Sequence, residues 1–325
     1  MSLLLRRSVL LGKVEDNYGT DASPTTADAI LCAAPTVTPA GDILTRDFVR
    51  SSISPYPHVI GAKTVEVTFD TEIKGSGTNS STSTSDIIPE IGPLFRACGL
   101  SETVTWGSTA GTPTTYSDLT ASYQPVSTNF ESATIYVYFD GVLHKIVGCR
   151  GSAVFTLDAG AFPKISWTFR GFYQDVIDAS MVTGQYNDTK PPIVESIALK
   201  LGTYSPKRVQ SVSIDLANTI AEIRDVNASE AMGEIAITGR DTNGRINPEM
   251  DLVANYDFFG IWKNATEKAM SCTIGSSGGN RIIFSCPSIQ ENSLAYGDRE
   301  GIRILDIPIK LASEPGDDEL VIKFT

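Results

Sequence analysis

Two-residue alternation of apolar and polar side chains recurs along this chain and limits its possible folds more than any other feature. Between residues 64 and 73, Val65, Val67 and Phe69 alternate with Glu66, Thr68, Asp70 and Glu72. Successive side chains of a strand point to opposite faces, so this segment reads as a strand with one dry face and one wet, acidic face. The pattern returns where Val212, Ile214 and Leu216 alternate with Ser211, Ser213 and Asp215, and where Phe155 and Leu157 alternate with Thr156 and Asp158. Short runs rich in Thr, Ser, Val, Ile and Tyr, broken by Gly, Pro and Asn, extend this reading to most of the chain and predict a mainly β fold. Long strands with open edges invite uncontrolled pairing, and one solution is a barrel whose sheet is shared between subunits.

The order of segments is repeated. In the first half, residues 43–52 lead through the Pro55 and Pro57 turn to the strand at 64–73, then a Ser/Thr/Gly-rich loop at 75–86 and an apolar helical segment at 91–99. In the second, residues 221–230 precede a strand at 234–239, and the apolar segment 258–265 follows. Arg46 and Asp47 align with Arg224 and Asp225, and Gly92 to Arg96 with Gly260 to Lys263 after one gap. Further strands are expected after each helix, at 132–139, 142–148, 152–157 and 165–169, and at 269–274, 281–284, 293–296 and 302–311. Helices of about ten residues do not persist alone, so each must pack an apolar face on a sheet. Periodicity breaks between residues 175 and 192, around Gly184, Asn187, Asp188, Pro191 and Pro192. The expected domains are therefore 1–188, with an N-terminal arm, and 189–325. The loop at 75–86 reads as a flexible surface loop without a packed role.

A formal net charge of −12 excludes a protein that grips nucleic acid through phosphates, because such binding needs a surplus of Lys and Arg. It does not exclude a conduit, since a wall along which a polyanion slides is better negative than adhesive. Five scattered cysteines (Cys32, Cys98, Cys149, Cys272, Cys286) show neither a disulfide framework nor a metal-binding spacing and read as free thiols. The apolar opening is interrupted by Arg6, Arg7 and Lys13, so neither a secretion signal nor a membrane anchor is expected.

Reactive constellations do not emerge. Only two histidines occur; His58 follows a Pro-rich turn, and His144 follows the Asp140–Gly141 turn of an expected hairpin. Neither lies near a nucleophile elbow. The glycines at 75–77 and 275–279 lack the Lys–Ser/Thr pair of a phosphate loop and read as turns. Asp317 and Asp318 fall in a solvated loop at 314–319 rather than a carboxylate pair. Trp106, Trp167, Trp262 and the Tyr136, Tyr138, Phe139 cluster fit core or subunit packing better than ligand stacking. No catalytic, cofactor or metal site is expected, and the chain reads as a non-enzyme.

An ordered set of segments resembles the tail tube proteins of long, non-contractile-tailed bacteriophages. It comprises Leu10-Leu-Gly-Lys-Val-Glu-Asp-Asn-Tyr-Gly-Thr-Asp-Ala-Ser-Pro-Thr25, Ala29-Ile-Leu31, Thr45-Arg-Asp-Phe-Val-Arg50 and Gly92-Pro-Leu-Phe-Arg-Ala-Cys-Gly-Leu-Ser-Glu102. It continues through Phe130-Glu-Ser-Ala-Thr-Ile-Tyr-Val-Tyr-Phe-Asp-Gly-Val-Leu-His-Lys145, Gly148-Cys-Arg-Gly151 and Pro163-Lys-Ile-Ser-Trp-Thr-Phe-Arg-Gly-Phe-Tyr173. Residues 8–175 carry the resemblance closely and the remainder in outline.

The resemblance implies a mainly β chain of two repeated tail-tube sandwich or barrel domains, each with one short helix, whose strands join into a shared inner β-barrel on assembly. It implies a virion tail component, built in the bacterial host cytoplasm, that stacks in rings around a hollow conduit for DNA. The implied partners are further copies of the chain, the tail terminator, tape measure and tail-tip proteins, and DNA in transient, non-specific passage. Two tube domains per chain favour three copies in a pseudo-sixfold ring; a hexamer with the second half as decoration is the other arrangement. The lumen-lining candidates are Glu66, Asp70, Glu72, Asp158, Asp215 and Glu234, and the loop at 75–86 and the N-terminal arm are candidates for ring-to-ring contacts. Other readings remain: a cell-surface adhesin or carbohydrate-binding β-sandwich protein, a glycoside hydrolase, or another tail component of the same fold.

Overall fold

The computed structural model describes residues 3–4, 6–81, 83–107, 118–312 and 315–325. The first part of the chain forms β1 (Ser8–Val14), β2 (Ala29–Ile30), β3 (Thr36–Leu44), β4 (Val59–Glu72), helix α1 (Gly92–Ala97), β5 (Leu100–Thr105) and β6 (Thr120–Pro125). It continues with β7 (Ala133–Phe139), β8 (Val142–Asp158), β9 (Lys164–Phe172) and β10 (Ile177–Asp178). The second part forms β11 (Lys200–Leu201), β12 (Ser211–Asp215), β13 (Asn218–Arg224), β14 (Met232–Arg240), β15 (Asn243–Ile246) and helix α2 (Phe258–Lys263). Then come β16 (Lys268–Ile274), β17 (Ile282–Glu291), β18 (Ala295–Arg299), β19 (Ile302–Ala312) and β20 (Val321–Phe324). The protein is mostly β, with two short helices.

Every pairing between these strands is antiparallel. One layer runs β2–β1–β7–β8–β10. The other runs β3–β4–β9–β8–β12–β15–β19–β17. Strand β8 belongs to both, its first half to one layer and its second half to the other. The sequence reading placed two strands here, at 142–148 and 152–157. Instead the strand bulges: its register against β9 shifts between Val147 and Arg150, and Gly148 takes the left-handed conformation at φ +64°. The buried Glu15 carboxylate pins the bulge, accepting from the Gly148 N–H at 2.7 Å, Thr134 Oγ1 at 2.8 Å and Ser132 Oγ at 2.5 Å. Gly151 is also fixed by packing, since a Cβ there would overlap the Thr168 carbonyl oxygen.

The strand order β3–β4–β9–β8 recurs as β12–β15–β19–β17. In both, a hairpin comes first, a helix follows, and two later strands complete the row. The second hairpin is interrupted, so that β13 and β14 form an arm of their own. The halves are fused across residue 188: β8 pairs with β12, β6 pairs with β20, and one hydrophobic core runs from Leu10 to Phe324. At its centre Phe95 of α1 packs against Tyr123, Phe155, Trp167 and Phe324.

Both helices have six residues rather than about ten. The first starts on Pro93 and stops where Gly99 takes φ +76°; the second starts at the Asp257 cap and stops where Ala265 takes φ +48°. The N-terminal segment is no free arm at residues 8–14, which lie between β2 and β7 with Leu10 and Leu11 buried. The segment after β10 straps the other side of that layer, where Ala179, Met181 and Val182 cover Val9, Leu11, Tyr136 and Tyr138.

The glycine-rich loops depart most from expectation. The first part of the 75–86 loop is docked: Gly75 N–H donates to Asn280 Oδ1 and Gly77 N–H to the Gly279 carbonyl. Gly75 and Gly279 approach so closely that a Cβ on Gly75 would overlap the Gly279 carbonyl oxygen. Thr82 of this loop and Glu314 of the 314–319 loop lie outside the described residues. The rest of the latter loop is tied down rather than solvated, because Arg240 bridges Asp317 at 3.1 Å and the buried Glu319.

Candidate functional site

Directly opposed residues of antiparallel strands share a sheet face, so the register places the predicted carboxylates. Glu66 lies opposite Arg170, Asp70 opposite Ser166 and Glu72 opposite Lys164. Ser166 in turn faces Val154, Val154 faces Asp215, and Asp158 faces Ser211. Glu66, Asp70, Glu72, Asp158 and Asp215 therefore stand on one continuous face of the eight-strand row, turned away from the core. Glu234 does not. It sits on the β13–β14 arm and meets the rim of that face through Arg150, at 2.6 Å.

The sequence reading chose only acidic groups, and the same register shows what it passed over. Lys164 and Arg170 alternate with Ile165, Trp167 and Phe169 along β9, and Arg245, Asp306 and Lys310 occupy the polar side of β15 and β19. Alternation in these strands was as clear as in β4 and would have found them.

The face is mixed in sign, but its charges are not used alike. Arg170 is shared by Glu66 and Glu222, each at 3.2 Å. Arg245 is engaged by Asp306, whose carboxyl that hydrogen bond holds below the usual range. Lys310 reaches Asp241 at 2.9 Å. Among the described residues Asp70, Glu72 and Asp158 have no ionic partner. Arg170, Arg245 and Lys310 are neutralised, while Lys164, opposite Glu72, has only the Phe162 ring beside it; with three carboxylates and one cation lacking an ionic partner, the face keeps a residual negative potential.

Elsewhere the protein shows structure rather than chemistry. Trp167 is buried and donates to Thr71 Oγ1 at 2.8 Å, and Tyr136 and Tyr138 are buried under the strap. His144 lies edge-on to Phe139, its pKa lowered by burial. Four of the five cysteines are buried free thiols with pKa values raised by desolvation. Among the described residues no cluster of three metal-ligating side chains occurs, and no helix is long and apolar enough to cross a membrane.

A model of the phage tail tube protein family matches residues 6–319, nearly the whole length. The chain belongs to that family. No curated protein matches the sequence. As a phage tail tube protein it is a structural component of the virion tail that self-assembles into the tube, and the match includes the second half, where the quoted segments carry the resemblance only in outline. The adhesin and glycoside hydrolase readings are set aside on the same ground.

Proposed function

We propose that this protein lines the tail tube with the polar face of its eight-strand row, three copies closing a pseudo-sixfold ring and rings stacking into a conduit for DNA ejection. One observation carries the reading: the order β3–β4–β9–β8 recurs as β12–β15–β19–β17 within one uninterrupted sheet. A chain with two such repeats occupies two positions of a sixfold ring. Three chains bring about twenty-four strands, and at ~4.8 Å spacing and ~40° tilt these close a barrel with a backbone diameter of about 50 Å. Side chains projecting inward still leave room for a double helix.

In this reading Asp70, Glu72 and Asp158 act by repulsion. A wall whose carboxylates outnumber its one cation without an ion pair, Lys164, gives phosphates few counterion-releasing partners, so DNA slides without binding. Glu66 and Asp215 keep the face hydrated, and Glu234 secures its rim. The ring stack meets terminator, tape measure and tail-tip proteins at its ends, and assembly takes place in the host cytoplasm. Ejection kinetics of phage carrying Asp70→Lys, Glu72→Lys and Asp158→Lys together test the lumenal assignment. Slowed or stalled ejection from tails of normal length is expected; wild-type kinetics would refute it.

A further inference from the structure

At one end of the eight-strand row β3 has an open edge; at the other β17 is covered by β16, and the open edge is that of β18. Among the described residues β3 pairs only with β4, while β18, which continues the line of β17 along β19, pairs only with β19. Open edges of this length are normally blunted or paired.

The junction between the two halves shows what such an edge can accept. There β8 takes β12 antiparallel, with Ile214 opposite Phe155 and Val212 opposite Leu157. Behind the seam Phe155 packs edge-on against Phe284 of the second half, and Phe95 of α1 meets Phe324.

The second half repeats the first side of this junction and leaves it bare. Tyr296 stands opposite Leu305 near the β18–β19 turn as Phe155 stands opposite Ile165 near the β8–β9 turn. Trp262 of α2 aligns with Phe95 of α1 once one gap is allowed. Phe155 and Phe95 are fully buried, whereas Tyr296 is 60% and Trp262 46% exposed, with Phe259 packed against the Tyr296 ring. The first half likewise repeats the other side. Its β3 holds the row position of β12, and exposed Val176 directly precedes β10, which pairs with β8 as β20 pairs with β17. Each end of the chain thus carries one uncovered half of a junction whose complete form exists inside the same molecule.

We propose that successive copies join by repeating this internal junction: β18 of one copy takes β3 of a second copy antiparallel, and the second copy's first half covers Tyr296 and Trp262. Carrying over the internal register puts Ala295 opposite Thr38 and Tyr296 opposite Val37. Face parity supports that register. Ala295 shares the face of Asp306 and Thr38 that of Glu66, while Tyr296 and Val37 both lie on the core face. A slip of one residue would place Tyr296 on the polar face. The contact is head-to-tail, so it propagates until the ring closes. This interface rests on the self-assembling tube reading and adds to it the strand, the register and the apolar cover.

The test is cysteine cross-linking in the full-length protein, concentrated until rings or tubes form, oxidised, and run on a non-reducing gel. Ala295→Cys with Thr38→Cys in one chain is expected to give a ladder of covalent multimers, and a mixture of the two single variants dimers only. Each single variant alone stays monomeric, as does Ala295→Cys paired with Thr36→Cys. Rings seen by electron microscopy without the Ala295–Thr38 cross-link overturn this interface and leave the tube reading standing; absence of any ring or tube overturns the tube reading itself. As an independent check, Tyr296→Glu should keep the wild-type melting temperature of the unassembled chain and lose assembly at least tenfold in critical concentration. Unchanged assembly would overturn the apolar cover.

Discussion

Arg150 is the side chain that secures the second half's arm to the first, and removing it should cost more than its ion pair alone. The side chain is buried, with only 7% of it exposed, and its guanidinium donates to the carbonyls of Phe130, Glu131 and Ile235 at 2.7, 3.2 and 3.0 Å. It also bridges Glu234 and lies 4.5 Å from the centroid of the Tyr18 ring. Glu234 is 44% exposed and can rehydrate, so losing that pair costs under about 1 kcal/mol. Three carbonyls deprived of their donor cost about 1 kcal/mol each, and the lost cation–π contact adds up to about 1. Arg150→Met is therefore expected to destabilise by about 4 kcal/mol. At ~2.1 cal/mol/K of unfolding entropy per residue, a chain of this length loses about 6 °C in melting temperature. Calorimetry of the unassembled chain measures this, and hydrogen exchange should show β13 and β14 opening first. Glu234→Gln is the control, with an expected loss below about 1 kcal/mol. If Glu234→Gln matched Arg150→Met, or if Arg150→Met melted within 1 °C of wild type, the carbonyl-dominated account would be wrong.

Gly75→Ala should destabilise by about 1–3 kcal/mol, because the new methyl meets the Gly279 carbonyl and one of the two backbones must move; a wild-type denaturation midpoint would contradict the docked-loop geometry. Glu291 gives a pH signature. Burial pushes its carboxyl up to about 7, with Lys268 pulling only part of the way back, and its Oε2 is buried without a hydrogen-bond partner. The folded state therefore keeps a proton that the unfolded state releases near pH ~4.3. Its contribution to stability is complete below that pH and declines as pH rises towards about 7. Glu291→Gln should flatten that decline and stabilise the protein at pH 8 by about 1 kcal/mol after allowance for partial exposure, read from urea midpoints across pH. A variant with the wild-type slope would assign the pH dependence elsewhere.

The β architecture and the repeated order were legible because alternation is a local property: Val65 to Glu72 declares its two faces without reference to any partner. Five of the six carboxylates chosen on that basis share one face for the same reason. Glu234 stands off that face because the second hairpin breaks near Ala217 and Thr242, and its distal part leaves the sheet as an arm; nothing local to residues 232–240 announces this. The continuous β8 was misread because Gly148 and Gly151 serve a bulge and a close approach, and glycine marks a turn just as well. The meeting of Gly75 with Gly279 and the burial of Glu319 under Arg240 depend on contacts more than 75 residues apart along the chain, which composition cannot encode. The cations of the face were missed for another reason. They were visible as alternating residues, but charge had been read as a single sign.

The central claim is that the polar face of this sheet lines the tube. Cryo-electron microscopy of the assembled tube tests it most directly, because chain count and strand orientation come from one map. Three chains per ring, with Asp70, Glu72 and Asp158 facing the channel and β18 beside β3 of the next copy, is the expected result. Six chains per ring, or a channel lined by the opposite layer of β1, β7 and the first half of β8, would contradict it.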